Sequence, residues 1–147
     1  KNSSKKMHQA CELVSQEREI YPGWTKKEIL GHLIASDTAT AESLQAFING
    51  EPPVIVSDGS EEDMDQYNAR FIEERKTENY YAVYREWQYA REQLLEAVRK
   101  LDPNTLTEMM TYPWSKKGSP ADLIKGIASH EEYHAKYIFE IIVGEMH

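Results

Sequence analysis

Residues 119–144 read SPADLIKGIASHEEYHAKYIFEIIVG, and their periodicity decides how the rest of the chain is understood. Ser119 as N-cap and Pro120 at the first helical position open a helix that runs to Gly144. Winding at about 100° per residue puts Leu123, Ile127, Ile138 and Ile141 on one stripe. His130 and His134 fall inside that stripe, about 40° apart by the same winding. Two imidazoles one turn apart on a core-facing surface are costly unless each finds a partner. A divalent cation is the partner that satisfies both at once, because i,i+4 imidazole nitrogens can converge on one ion. The alternative is a pair of core histidines bonded to neighbouring carboxylates or carbonyls.

The preceding segments are helical as well, with Gly and Pro confined to a few breaks. Met7, Ala10, Cys11 and Val14 recur at three- and four-residue spacing, which predicts a first helix of about four turns. Thr25 to Glu28 (Thr-Lys-Lys-Glu) reads as a capping box opening a second helix. That helix carries Ile29, Leu30, Leu33, Ile34, Leu44, Phe47 and Ile48 and stops at Asn49-Gly50. Residues 51–60 hold two prolines and the run Val54-Ile55-Val56, with no second strand to pair with, and so read as a long crossover loop. Ser60 begins a third segment with Met64, Tyr67, Phe71 and Ile72. A break near Thr77 then leads into the pattern Tyr80, Tyr84, Trp87, Arg91, Leu94, Val98 and Leu101. Residues 107–118 look irregular, with Tyr112-Pro113-Trp114 as an apolar plug. The predicted fold is all-α: a four-helix bundle with a long crossover connection between helices 2 and 3, forming one domain over residues 1–147.

Composition narrows the function. Twenty-five acidic against 17 basic residues give a net charge of -8, which argues against nucleic acid as a partner and against an anionic membrane surface. No apolar run reaches the length of a spanning helix, and residues 1–10, KNSSKKMHQA, lack a signal-type apolar stretch. A single cysteine, Cys11, makes no internal disulfide, so a cytoplasmic setting is expected.

His32 offers a third nitrogen. It lies at the edge of the second helix's apolar stripe, flanked by Ala35, Ser36 and Ala39, whose small side chains leave room between helices. With His130 and His134 it makes a three-nitrogen metal set with open positions, the arrangement of catalytic rather than structural ions. Residues 130–134 also match the H-E-x-x-H of zinc peptidases. A peptidase is not indicated, since only thirteen residues follow the motif and an all-helical chain has no edge strand to hold a peptide. A di-iron carboxylate site needs two Glu-x-x-His pairs, and the chain has only Glu131 with His134. Glu131 winds inward and is a candidate catalytic base, a ligand-orienting group, or the partner of a buried cation. Asp37 winds near the centre of the second helix's apolar face and needs a donor, for which a ligand imidazole, Arg91 or a tyrosine qualifies. Tyr67, Asn68 and Trp114, with Asp37, are candidates for a pocket wall, although aromatics at helical spacing are more often core. His8 and His147 sit near the ends without a pattern.

Several of these residues together resemble the DinB/YfiT-like superfamily. They are Gly23-Trp24-Thr25 leading to Gly31-His32-Leu33-Ile34, then Asp65 to Phe71 (Asp-Gln-Tyr-Asn-Ala-Arg-Phe), then His130-Glu131-Glu132-Tyr133-His134. The resemblance implies a four-helix bundle, often a homodimer, with a three-histidine divalent-metal site at His32, His130 and His134. It also implies an enzyme acting on a small-molecule substrate by transferase or hydrolase chemistry. Some relatives are thiol-dependent transferases or isomerases that use a low-molecular-weight thiol such as bacillithiol, mycothiol or glutathione. Zinc, nickel, manganese and iron all suit imidazole. The competing expectation is a non-catalytic, stress-related binding module with a vestigial metal site. The aromatics of the long third pattern exceed what one core-facing stripe needs, which also points to self-association.

Overall fold

Helix starts coincide with the capping residues. The computed structural model describes residues 2–145 in five α-helices: α1 (Asn2–Leu13), α2 (Lys26–Ile48), α3 (Glu61–Glu74), α4 (Tyr80–Arg99) and α5 (Pro120–Glu145). Lys1, Met146 and His147 lie outside the described residues. At the start of α2 the Glu28 carboxylate accepts from the Thr25 N–H at 2.8 Å and from its hydroxyl at 2.7 Å. Ser60 Oγ accepts from the Asp63 N–H and Asn79 Oδ1 from the Ala82 N–H, which cap α3 and α4. Ser119 Oγ does the same for Asp122 at the start of α5. The C-terminal end of α1 is closed from outside, by Lys26 Nζ donating to the carbonyls of Cys11 and Val14 at 2.7 and 2.8 Å.

α2 packs along α4 and α1 along α5, while α2 also meets α5 and carries α3 on its surface. Ile72 of α3 comes so near Gly31 of α2 that a Cβ there would sit 3.5 Å from its Cγ1. The third sequence segment is two helices, since the chain leaves α3 at Glu74 and Asn79 caps a new start. No residue of α3 is fully buried, so it covers α2 without entering the core. No helix among the described residues is long and apolar enough to cross a membrane.

The core falls into two apolar clusters. One joins Met7, Cys11, Leu30, Leu33, Val83, Trp87 and Ile138, and the other joins Leu44, Leu94, Met110, Leu123 and Ile127. Arg91 lies in α4 between Trp87 and Leu94, Asp37 in α2 between Leu33 and Leu44, and Glu131 in α5 between Ile127 and Ile138. All three are buried, so a polar layer separates the two clusters.

Residues 51–60 form a loop without strand, as their prolines predict. Residues 107–118 are more ordered than expected. β1 (Met110–Thr111) and β2 (Lys117–Gly118) pair antiparallel, Met110 opposite Gly118. Two-residue strands leave no alternation to read, which is why the sequence pattern did not reveal them. The hairpin pins the crossover: the Val56 and Ser57 N–H groups donate to Pro113 O at 2.7 and 3.2 Å, and Ser115 Oγ donates to Ser57 O at 2.6 Å. Gly59 closes this junction at φ +89, and a Cβ there would fall 2.7 Å from the Trp114 carbonyl oxygen. Gly59→Ala should therefore lower unfolding stability by about 1–3 kcal/mol, read as a shifted urea midpoint. An unchanged midpoint would show that the crossover is not held by this contact.

Candidate metal centre

α2 and α5 bring the three histidines to one place. His32 Nε2 lies 3.0 Å from His130 Nε2, and His134 Nε2 lies 3.1 Å from the same atom. One nitrogen from each ring is within 4.8 Å of the others, a set able to hold a metal ion. The rings meet edge-on, His32 to His130 at 82° and His130 to His134 at 77°, so their nitrogens rather than their faces converge. Burial, the largest effect on each, favours the neutral rings. It pushes His130 down to about 4 and His134 to about 3, with neighbouring imidazoles adding to both, and it also lowers His32. Neutral imidazole is the ligating form, so the donors are ready at physiological pH. His130 Nε2 has either one hydrogen or one lone pair, so it can satisfy only one of its two close neighbours, and a cation shared by all three nitrogens answers that deficit.

The turn Tyr21-Pro22-Gly23-Trp24 reaches two of the three rings. Trp24 N–H donates to Tyr21 O at 2.8 Å, and Gly23 takes φ +78, as the third position of a type II turn requires. Tyr21 Oη lies 2.9 Å from His134 Nδ1, and its ring stacks on Tyr137 at 4.6 Å. Trp24 lies against His32, ring centroids 5.7 Å apart. Burial pushes the Tyr21 phenol up to about 12, so it stays protonated. Tyr21 was missed in the sequence; the available signal was a pair of aromatics flanking a Pro-Gly turn.

The remaining site candidates are spread more widely. Asn68 of α3 lies beside His32 and favours its protonated form, yet neither Asn68 Oδ1 nor His32 Nδ1 makes a hydrogen bond. Tyr67 donates its hydroxyl to Ala35 O at 3.4 Å and packs on Phe71. Trp114 packs on Tyr112 in the second apolar cluster. Asp37 and Glu131, each 1% exposed, both face Arg91. Arg91 Nη2 donates to Glu131 Oε1 at 3.3 Å and to Ser3 Oγ at 2.9 Å, while Nη1 lies 3.6 Å from Asp37 Oδ1. Glu131 Oε2 is also 3.3 Å from Nη2 but outside hydrogen-bonding geometry, and Asp37 Oδ2 has no hydrogen-bond partner. Of the three donors that the sequence offered for Asp37, the guanidinium is the one it faces. Cys11 is a core thiol, pushed up to about 11 by burial, which disfavours its thiolate.

A helical protein whose two long helices converge three neutral histidines is the class that fold and site define. The sequence pattern of the DinB superfamily matches residues 12–138, and the chain belongs to that superfamily. No curated protein matches the chain in sequence. Among solved structures it is similar to the mycothiol-dependent maleylpyruvate isomerase, at a TM-score of 0.63 and 15% identity over 97% of this chain and 55% of that one. A histidine-to-alanine mutant of a mycothiol-dependent maleylpyruvate isomerase gives a TM-score of 0.62 and 14% identity over the same shares. The chain thus spans about half the length of those enzymes.

The Arg91 layer sets two tests. Arg91→Met strands two buried carboxyls and should cost about 3–5 kcal/mol, partly recovered in Arg91→Met combined with Glu131→Gln, by chemical denaturation. Burial pushes the Asp37 carboxyl up to about 7, against the pull of Arg91, so the folded state holds its proton more tightly than the unfolded chain. Its stabilising contribution is complete at low pH and is lost as pH rises from about 4 to about 7. Wild type should therefore lose stability relative to Asp37→Asn across that window, and a pH-independent difference would contradict the shift.

Proposed function

We propose that this chain is a divalent-metal-dependent enzyme acting on a small molecule, with a low-molecular-weight thiol as co-substrate in transferase or hydrolase chemistry. The observation that carries this is the convergence of three neutral imidazole nitrogens, 3.0 and 3.1 Å apart, contributed by two different helices. His32, His130 and His134 would hold the ion. A bound divalent ion acts as a Lewis acid and lowers the pKa of a thiol or water toward neutrality. Tyr21 and Trp24 shield the histidines on one side, which limits water there. Glu131, paired with Arg91, keeps the histidine-bearing face of α5 turned inward, and it acts as a base only if it leaves that pair. Asn68, beside His32, is the pocket candidate best placed to meet a substrate.

Other parts of the proposal rest on packing. α1, α2, α4 and α5 are taken as the four helices of the bundle, with α3 belonging to the crossover. A homodimer is supported by Tyr81 and Tyr89 of α4, which are 61% and 68% exposed. Light scattering should then give a mass near twice 17.0 kDa. A cytoplasmic location suits a lone thiol and a small-thiol co-substrate. The alternative, a binding module with a vestigial site, draws its support from Glu131, whose carboxylate is already committed to Arg91.

Protein purified without an affinity tag should carry about one divalent ion per chain, measured by elemental analysis. His134→Ala should abolish that content while leaving the helical circular dichroism intact. Proton competition should set in well below the ordinary histidine range, because burial holds His130 near 4 and His134 near 3. Metal should stay bound at pH 6 and be released toward pH 4. Absence of metal after dialysis against nickel, zinc and manganese, or release already at pH 6.5, would overturn the assignment.

A further inference from the structure

Among the described residues, Tyr21 is the side chain outside the histidine set that lies at hydrogen-bond distance from a candidate ligand, 2.9 Å from His134 Nδ1. It arrives from a turn, not from the helices that carry the ligands. Three features hold it there: the Tyr21–Trp24 backbone pairing, Gly23 in the left-handed region, and the stack on Tyr137. We propose that Tyr21 is a positioning residue for the metal centre, whose hydroxyl matches both tautomers of His134 by reversing its hydrogen-bond role. The inference rests on the metal reading above.

The argument is one of hydrogen counting. In the unloaded cluster, His134 Nε2 sits 3.1 Å from His130 Nε2, and only one of the two nitrogens can supply the hydrogen between them. A phenol kept protonated donates to an imidazole nitrogen more strongly than it accepts from one, which favours Nδ1 of His134 as the acceptor from Tyr21 and places the hydrogen on its Nε2. For His134 to present the Nε2 lone pair to a cation, the proton must leave Nε2 and Nδ1 must carry one. The ring keeps one proton throughout, so the change is a tautomerisation with no net gain or loss. Nδ1–H then donates to the Tyr21 oxygen, while the phenolic hydrogen turns away. A carboxylate could serve only the second state, because it cannot donate. A phenol kept protonated by burial serves both without a buried orphan in either.

The test is Tyr21→Phe, which keeps the ring and its stack on Tyr137 and removes only the hydroxyl. Zinc affinity, measured by chelator competition, should fall about 10- to 100-fold, the usual effect of losing a ligand's outer partner. Nitrogen-15 chemical shifts of the His134 ring, recorded without metal and with zinc, should show Nε2–H and Nδ1–H respectively in wild type. The unloaded variant should lose the bias toward Nε2–H. Replacing Tyr137 by Leu, which disturbs the stack but spares the hydroxyl, should leave the unloaded tautomer in place. Wild-type protein that binds no zinc would end the metal reading itself. Wild type that binds zinc, with Tyr21→Phe binding equally tightly and showing the same His134 tautomers, would overturn the role of Tyr21 alone.

Discussion

The guanidinium of Arg91 is the interaction on which the arrangement of helices depends. From α4 it reaches Ser3 of α1, Asp37 of α2 and Glu131 of α5. Buried charges cost several kcal/mol each unless partners are in place. A helix that slipped by one turn would leave a carboxyl or the guanidinium unpaired between two apolar clusters. Leucine and isoleucine tolerate such slips far better, since one apolar contact substitutes for another. The polar layer thus supplies a register that the apolar clusters on either side do not. Burial pushes the Asp37 carboxyl up to about 7, and the neighbouring Glu131 carboxyl adds to this while Arg91 opposes it.

The histidine cluster inherits that register. Glu131 precedes His134 by three residues on α5, and Asp37 follows His32 by five on α2. Fixing the two acids against Arg91 therefore fixes the rotation of both ligand-bearing helices. One physical cause, desolvation, then acts in opposite directions on the two layers. It raises Asp37 and Glu131 and lowers His32, His130 and His134, so each tends toward its neutral form. For the carboxyls this relieves an excess of negative charge. For the imidazoles it yields donors with free lone pairs at neutral pH.

The sequence pattern over residues 12–138 places the chain in the DinB superfamily, and the likeness to a structure of about twice the length is a likeness of fold. The shared fold positions helices, while what surrounds the histidines is set by the side chains and loops of the individual chain. In this chain those include the 21–24 turn and α3, which place Tyr21, Trp24 and Asn68 beside the histidines.

Local physics was legible in the sequence by itself. The caps at Thr25, Ser60 and Ser119, the stop at Asn49-Gly50, and the inward stripe holding His130 and His134 all follow from contacts within a turn or two of helix. So did the loop at 51–60, because prolines and the lack of a pairing partner exclude a strand there. Three features needed the tertiary structure, each because the partner is distant in sequence. Arg91 meets Asp37 and Glu131 across 54 and 40 positions, Tyr21 meets His134 across 113, and the Pro113 carbonyl receives the amides of Val56 and Ser57. Periodicity tells which face a residue lies on, but not which residue on another element it will face. That choice is made only when the helices pack and every buried polar atom must find a donor or acceptor.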